Sequence, residues 1–282
     1  MAGRVLLTLG HGYSAEALAA SAPAGWRLIG TTRSRDRAAA MRSAGVEPVD
    51  WTDGAAVGAA IRQASHLLIS ASPDATGDPV LLRHAGDLAA ARPDWVGYLS
   101  TTGVYGDHGG AWVDEESALR PVHARGEWRV AAEAAWRASG LPAHVFRLAG
   151  IYGPGRSAFD RLRAGTARRV MKPGQVFSRI HVADIAQALL ASIARPAPGR
   201  AYNLADDLPA PPQDVLTYAA ELIGLPPPPE VDFEAADLSP MARSFYAESK
   251  RVANGRLREE LGLRLLYPDY RAGLRGILAA GG

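Results

Sequence analysis

Residues His123 to Glu133 read HARGEWRVAAE, a stretch that sets a histidine, two arginines four apart and a glutamate at the head of an alanine-rich helical run. A spacing of four puts Arg125 and Arg129 on one helix face. A guanidinium keeps its proton at any ordinary pH, so this pair can bind and polarise an oxygen but cannot serve as a general acid. His123, whose unperturbed pKa suits proton transfer, can, and so can Glu127 if burial lets it hold a proton.

A second group lies near the start, in LTLGHGYSAEALAA, where Gly10, Gly12 and Ala15 form a GxGxxA pattern between an apolar run and a helix-like run. Gly10 suits a tight turn, Gly12 a close backbone approach to a pyrophosphate, and Ala15 close packing of helix on sheet. Tyr13 and Ser14 share that turn, so Gly10, Gly12, Tyr13, Ser14 and Ala15 are the predicted dinucleotide contacts. The choice of dinucleotide is made about twenty residues on, where an acid would hold a ribose 2′-hydroxyl and a base would accept a 2′-phosphate. The sequence there is GTTRSRDR: Thr31 and Thr32 stand at the acidic place and Arg33 and Arg35 follow, which favours NADP (NADPH) over NAD. Ser34 reads as a helix cap, Asp36 as a first-turn carboxylate and Arg37 as solvated surface. Asp50 and Trp51, after a third apolar run, could flank an adenine. Ala71, Ser72 and Pro73, after a fourth, could border the pyrophosphate or the nicotinamide ribose. A helix cap or turn explains each of these five equally well.

The elements that would position these residues follow from the alternation of short apolar runs with amphipathic stretches. RVLLTL, WRLIGTT, VEPVD, HLLISAS, WVGYLS and AHVFRLA read as buried strands, with helices at about 13 to 22, 35 to 44, 78 to 91 and 124 to 139 between them. That order predicts an α/β fold, a Rossmann-type doubly wound parallel sheet. Beyond about residue 150 a helix near 156 to 164, the strand VFSRIHV, the helix DIAQALLASIA and the strand RAYNLA suggest a small, interleaved C-terminal substrate lobe. The expected division is residues 1–150 for the NADP-binding domain and 151–282 mainly for the lobe, with segments near 176–205 returning to the first domain. The proline-rich LPPPPE at 225–230 reads as an exposed connector.

Composition narrows the function classes. The 282 residues are 48% hydrophobic and 21% charged, an ordinary globular balance, and 31 basic residues face 29 acidic ones with no long block of one sign. Nucleic-acid binding gains no support from that. Without cysteine there are no disulfides, thiolate metal sites or cysteine nucleophiles, and no metal is expected. Glycine interrupts the first apolar run too early for a signal peptide, and no run approaches the roughly 18 apolar residues of a membrane helix, so a soluble cytoplasmic protein is expected.

STTGVYGDHGG (100–110), FRLAGIYGPGR (146–156), SRIHVADIAQAL (178–189), AYNLADDLP (201–209) and KRVANGRLREELG (250–262) occur in an order and near a spacing that resembles the extended short-chain dehydrogenase/reductase superfamily. Its best-known branch is the NAD(P)-dependent epimerase/dehydratase family of nucleotide-sugar enzymes. The GxGxxA spacing looks more like the superfamily's atypical members. The resemblance implies that Thr101, four before Tyr105, takes the place of the catalytic Ser/Thr that hydrogen-bonds a substrate carbonyl or alcohol. It also implies a Tyr-x-x-x-Lys pair, the tyrosine passing a proton and the lysine holding the nicotinamide ribose, at positions that here carry Arg125 and Arg129. Arg129 could still grip the ribose hydroxyls; Arg125 cannot donate the proton, which leaves Tyr105, His123 and Glu127 as candidates. Arg156, Lys172 and Arg179 in the lobe could meet a phosphate or carboxylate, and His181 and Asp184 match positions that in the family mainly order the junction of the lobes. The family commonly forms homodimers through two long helices, here those near 78–91 and 124–139.

The first reading is thus an NADP-dependent oxidoreductase acting on a small polar carbonyl or alcohol, with altered acid–base residues. A non-catalytic NADP(H)-binding sensor is the alternative, and a nucleotide-sugar epimerase or dehydratase the third; the shortness of the lobe argues against a full sugar-nucleotide substrate.

Overall fold

The computed structural model describes residues 3–281. Its chain forms two compact units and crosses between them repeatedly. The first holds the residues up to Thr101, Ala124–Arg147 and Ile185–Tyr202; the second holds Thr102–His123, Leu148–Asp184 and Asn203 onward. The division expected near residue 150 is therefore corrected at two places: residues 102–123 belong with the second unit, and the returning segment is 185–202 rather than 176–205.

The first unit is built on β1 (Val5–Leu9), α1 (Tyr13–Ser21), β2 (Arg27–Thr32), α2 (Arg35–Ser43), β3 (Glu47–Asp50), α3 (Gly54–Gln63), β4 (His66–Ile69), α4 (Pro79–Ala90), β5 (Trp95–Thr101) and α5 (Ala124–Ala138). A seven-stranded sheet runs in the order Ala201–Leu204, Ala143–Leu148, β5, β4, β1, β2, β3. β1 pairs in parallel with β2 on one side, Leu7 opposite Ile29, and with β4 on the other, Leu7 opposite Leu67. Strand order reverses at β1, so the turn that follows it opens at the switch point where such sheets bind ligands. Both faces are covered, which is why these strands read as unbroken apolar runs: Leu7, Leu9, Leu67, Ile69 and Val96 have no exposed surface.

The segment GAAVGAAIRQ, which carries two glycines, forms α3, a helix that the sequence pattern does not announce. Its start is fixed by Asp53, which accepts from Ala56 N–H at 2.9 Å, and Val57, Ala60 and Ile61 are buried against the sheet. Tertiary burial here outweighs the poor helix propensity of glycine.

In α5 the buried stripe is Gly126, Ala132, Glu133 and Trp136, and the carboxylate in it has no exposed surface. Ser100 Oγ of β5 donates to Glu133 Oε1 at 2.6 Å, and Arg147, in the Ala143–Leu148 strand, donates from Nη2 to Oε2 at 2.8 Å. Trp136 donates from Nε1 to Asp78 Oδ2 at 3.1 Å, while Oδ1 of the same carboxylate caps α4.

In the second unit, three small parallel pairs join Trp112–Val113 to Arg251–Val252, Gly150–Tyr152 to Arg179–His181, and Arg169–Met171 to Glu230–Asp232. Its core gathers Phe159, Leu162, Leu216, Ala219, Tyr270, Leu274 and Ile277.

Removing one partner of a buried ion pair leaves a charge with neither water nor counterion, at a cost of about 3–5 kcal/mol. Glu133→Ala is expected to lower unfolding stability in urea by that order, and Glu133→Leu combined with Arg147→Met to recover most of it.

Candidate functional site

The turn after β1 is shaped by contacts that tolerate few alternatives. Gly10 has φ +90°, and a β-carbon there would stand 2.9 Å from Ala71 N, so both the backbone conformation and the space require glycine. Its N–H donates to Thr31 Oγ1 at 2.8 Å, and His11 N–H donates to Thr31 O at 3.0 Å. Thr31 is therefore buried structure, and of the two threonines only Thr32 remains partly exposed. Gly12 differs from Gly10: it is extended, and a β-carbon there would meet nothing within 4 Å. It precedes α1, whose start has no side-chain cap; Ser14 and Ala15 are buried beneath and Tyr13 is half-buried. An open, uncapped helix start behind a glycine turn fits a pyrophosphate, which would find backbone N–H groups and the positive end of the helix dipole.

Arg33 and Arg35 are exposed just past β2, and Ser34 caps α2 by accepting from Arg37 N–H at 3.3 Å. Arg37 is not merely solvated: its Nη2 donates to His11 O at 3.0 Å and to Glu16 at 2.6 Å, tying α2 to the turn. The His11 ring is buried, with Nδ1 2.7 Å from Thr8 Oγ1; burial holds its pKa below the usual imidazole value. No local signal in GHG marks this histidine as a structural piece, because its partners come from β1 and α2. Asp50 acts as a turn cap, accepting from Thr52 N–H and hydroxyl at 2.8 Å. Trp51 is half-buried, with Arg83 over its ring and His84 at its edge.

Thr101 ends β5 and is partly exposed. Arg129 is committed to protein partners: Nη1 donates to Leu99 O and, at 3.3 Å, to Tyr98 Oη, while Nη2 donates to Ser72 Oγ at 3.0 Å. It thus fastens the segment after β4 to the end of β5, with Ala71 N–H held by Leu9 O and Pro73 buried. Arg125 and Glu127 are exposed, so the burial on which Glu127's candidacy as an acid rested is not there.

Tyr105 and His123 lie in the second unit. Tyr105 is fully buried and its hydroxyl donates to Asn203 Oδ1 at 2.6 Å; His123 Nε2 lies 3.1 Å from Ser244 O. Both polar tips are therefore occupied by the protein. Arg179 donates to Phe177 O and Ala210 O, and beside it Asp206, missed by sequence reasoning, is a buried carboxyl with Oδ2 unpartnered. Burial pushes Asp206 up to about 8, with Arg179 opposing. His181 packs 4.0 Å from the Tyr267 ring, and its burial lowers it to about 4; Asp184 accepts from Leu266 and Tyr267 N–H.

No family model matches the chain. A functionally unknown conserved protein from Silicibacter pomeroyi DSS is 57% identical over 99% of both chains, with a TM-score of 0.89. A protein from Methylobacillus flagellatus, assigned to the NAD-dependent epimerase/dehydratases, is 26% identical over 100% of this chain and 99% of that one, with a TM-score of 0.75. This chain shares the fold of solved NAD-dependent epimerase/dehydratases and other enzymes of the extended short-chain dehydrogenase/reductase type. Protein YeeZ of Escherichia coli K12 is 29% identical over 93% of this chain and 95% of its own. A 3-diazoavenalumate denitrifying reductase from a Streptomyces species is 32% identical over 48% of this chain and 47% of its own. MoeE5, solved with UDP-glucuronic acid and NAD, shares the fold at 20% identity, over 97% of each chain, with a TM-score of 0.76. Among the described residues no helix is long and apolar enough to cross a membrane, and no cluster of three metal-ligating side chains occurs.

The two glycines separate folding from binding. Gly10→Ala is expected to destabilise the protein and abolish dinucleotide binding. Gly12→Ala, with room for its methyl in the empty turn, is expected to keep the melting temperature but weaken dinucleotide binding by about tenfold or more, or 1.4 kcal/mol, by calorimetry.

Proposed function

We propose that this protein is an NADP(H)-dependent oxidoreductase that acts on a small polar carbonyl or alcohol without a dedicated tyrosine acid. The observation that carries the reading is the end of β2: Thr32, Arg33 and Arg35 stand there with no carboxylate at the place where an acid would hold a 2′-hydroxyl. A 2′-phosphate would find a hydroxyl and two exposed guanidinium groups, and guanidinium is suited to bidentate phosphate contact. The reductase that shares half of this chain supports the reductive direction. The bound nicotinamide would supply the hydride; Gly10, Gly12, Tyr13, Ser14 and Ala15 would seat its pyrophosphate. Asp50 and Trp51 would border the adenine end, and Ala71, Ser72 and Pro73 the opposite end.

In this reading the Thr101 hydroxyl orients the substrate oxygen, and the proton comes from solvent. Arg129 acts as a positioning residue through Ser72 and Leu99. That same engagement favours the second reading, a non-catalytic NADP(H) sensor, because a guanidinium bound to the protein has fewer donors for a ribose. A nucleotide-sugar epimerase or dehydratase stays third, resting on the likeness of fold.

The protein is expected to bind NADPH at least about tenfold more tightly than NADH, and Arg33→Ala to erase most of that preference. Equal affinity in calorimetry would overturn the assignment.

Once a substrate is found in an NADPH-oxidation screen, Thr101→Ala should lower kcat by about 10²-fold, within the range of positioned proton-transfer and oxyanion groups. Tyr105→Phe, His123→Ala and Glu127→Gln should each stay within about tenfold, because none offers an available acid. NADPH binding with no turnover across aldehydes, ketones and sugar nucleotides would hand the case to the sensor.

A homodimer through α4 and α5 completes the proposal. Their outward faces carry Leu82, 59% exposed, with Ala85, Gly86 and Ala89, and Ala131, Ala134, Ala135 and Ala138, small enough for close helix approach. Sedimentation should show a dimer at micromolar concentration, and Ala135→Glu a monomer.

A further inference from the structure

The second unit contains a cavity of about 230 Å³ that the dinucleotide turn does not involve. We infer that it is a binding site for a small organic acid, with the carboxylate held between Lys172 and Arg251 and the apolar body against Met171, Val176 and Pro211. The inference does not depend on the oxidoreductase reading.

Lys172 and Arg251 are the charged residues of the lining, both are partly buried, and no carboxylate lines the cavity. Each donates to one neutral backbone carbonyl, Lys172 Nζ to Tyr246 O and Arg251 Nη1 to Gly110 O. Among the described residues neither forms a direct ion pair; Lys172 Nζ stands 5.0 Å from the centre of the Phe233 ring and within electrostatic reach of the Asp107 carboxylate, and each cation keeps donors for a ligand. The carboxylates in the neighbourhood have their hydrogen bonds with other groups. Asp107 accepts from Ser249 and Gly109 N–H, and Glu248 pairs with Lys250 at 2.5 Å.

The third observation is independent of charge. Gln213 lines the same cavity, and its Oε1 is buried without a hydrogen-bond partner. An acceptor left unsatisfied in this way costs roughly 1–3 kcal/mol, which a ligand hydroxyl or N–H would offset. Gln213 lies in the first turn of the Pro212–Leu222 helix, whose start at Pro211 has no side-chain cap, so the helix dipole adds to the positive potential. The volume falls below the roughly 300–1,000 Å³ of pockets that take drug-sized ligands, which suits a small acid rather than a sugar nucleotide. Two cations select an anion, the apolar part of the lining, Met171, Pro173, Val176 and Pro211, selects a carbon body over a bare inorganic ion, and the Gln213 amide selects a donor on that body.

The test is calorimetry on the full chain with 4-hydroxycinnamate, cinnamate, 4-hydroxycinnamamide and inorganic phosphate. The hydroxy acid is expected to bind with a Kd of about 1 mM or tighter, and the amide at least about tenfold more weakly. Lys172→Gln and Arg251→Gln should each weaken the acid by about tenfold, Lys172→Arg should restore it, and Gln213→Leu should erase the preference for hydroxycinnamate over cinnamate. Acid and amide binding equally, wild-type affinity in both charge variants, phosphate binding as tightly as the acid, or no heat from either acid overturns the inference. Should a charge variant lose its thermal transition, the acid-against-amide comparison on the unaltered chain decides alone. NADPH titrated into the same samples is read separately, so a failure here leaves the dinucleotide reading standing, and the reverse.

Discussion

Glu133 faces the sheet from the middle of α5 with no water at its carboxylate, and that constraint organises much of the first unit. A carboxylate taken out of water must be paired and hydrogen-bonded or it drives the site open. Here Ser100 and Arg147 do the pairing, one from β5 and one from the adjacent Ala143–Leu148 strand. Such a pair adds little net stability over an apolar replacement, but it has a direction. It sets the rotation and height of α5 on the sheet, and one turn earlier on the same helix it places Arg129 against Tyr98, Leu99 and Ser72.

The dinucleotide turn depends on a comparable set of fixed contacts. Gly10 is held from β2 through Thr31, His11 is locked to Thr8, and Arg37 reaches across from α2 to His11 O and Glu16. A turn so constrained is pre-organised, and its open position, Gly12, does not need to be ordered when an anion arrives. Rigidity and open space thus fall on the two successive glycines of one motif.

The proton donors expected from the sequence are either engaged by the protein or exposed. Tyr105 and His123 spend their polar atoms inside the second unit and Glu127 stands in solvent. What remains suited to chemistry at the end of β5 is the Thr101 hydroxyl, which can orient an oxygen but does not bring a pKa near neutrality.

The sequence by itself determined the parallel sheet, its strands, the glycine turn and the cap at Ser34, because each is written in a local period or a short motif. It did not disclose α3, whose glycines argue against a helix that only burial stabilises, nor that residues 102–123 fold with the second unit. It read Arg37 as solvated surface, and the side chain is exposed yet also tied to His11 O and Glu16; it made Glu127 an acid only on condition of burial, and that condition is not met, since exposure and partners come from segments distant in the chain. Asp206, His11 and the Lys172–Arg251–Gln213 cavity belong to the same class. Lys172 is legible in the sequence as a free base, but only the packing of remote segments decides which of these side chains lose water and which come together.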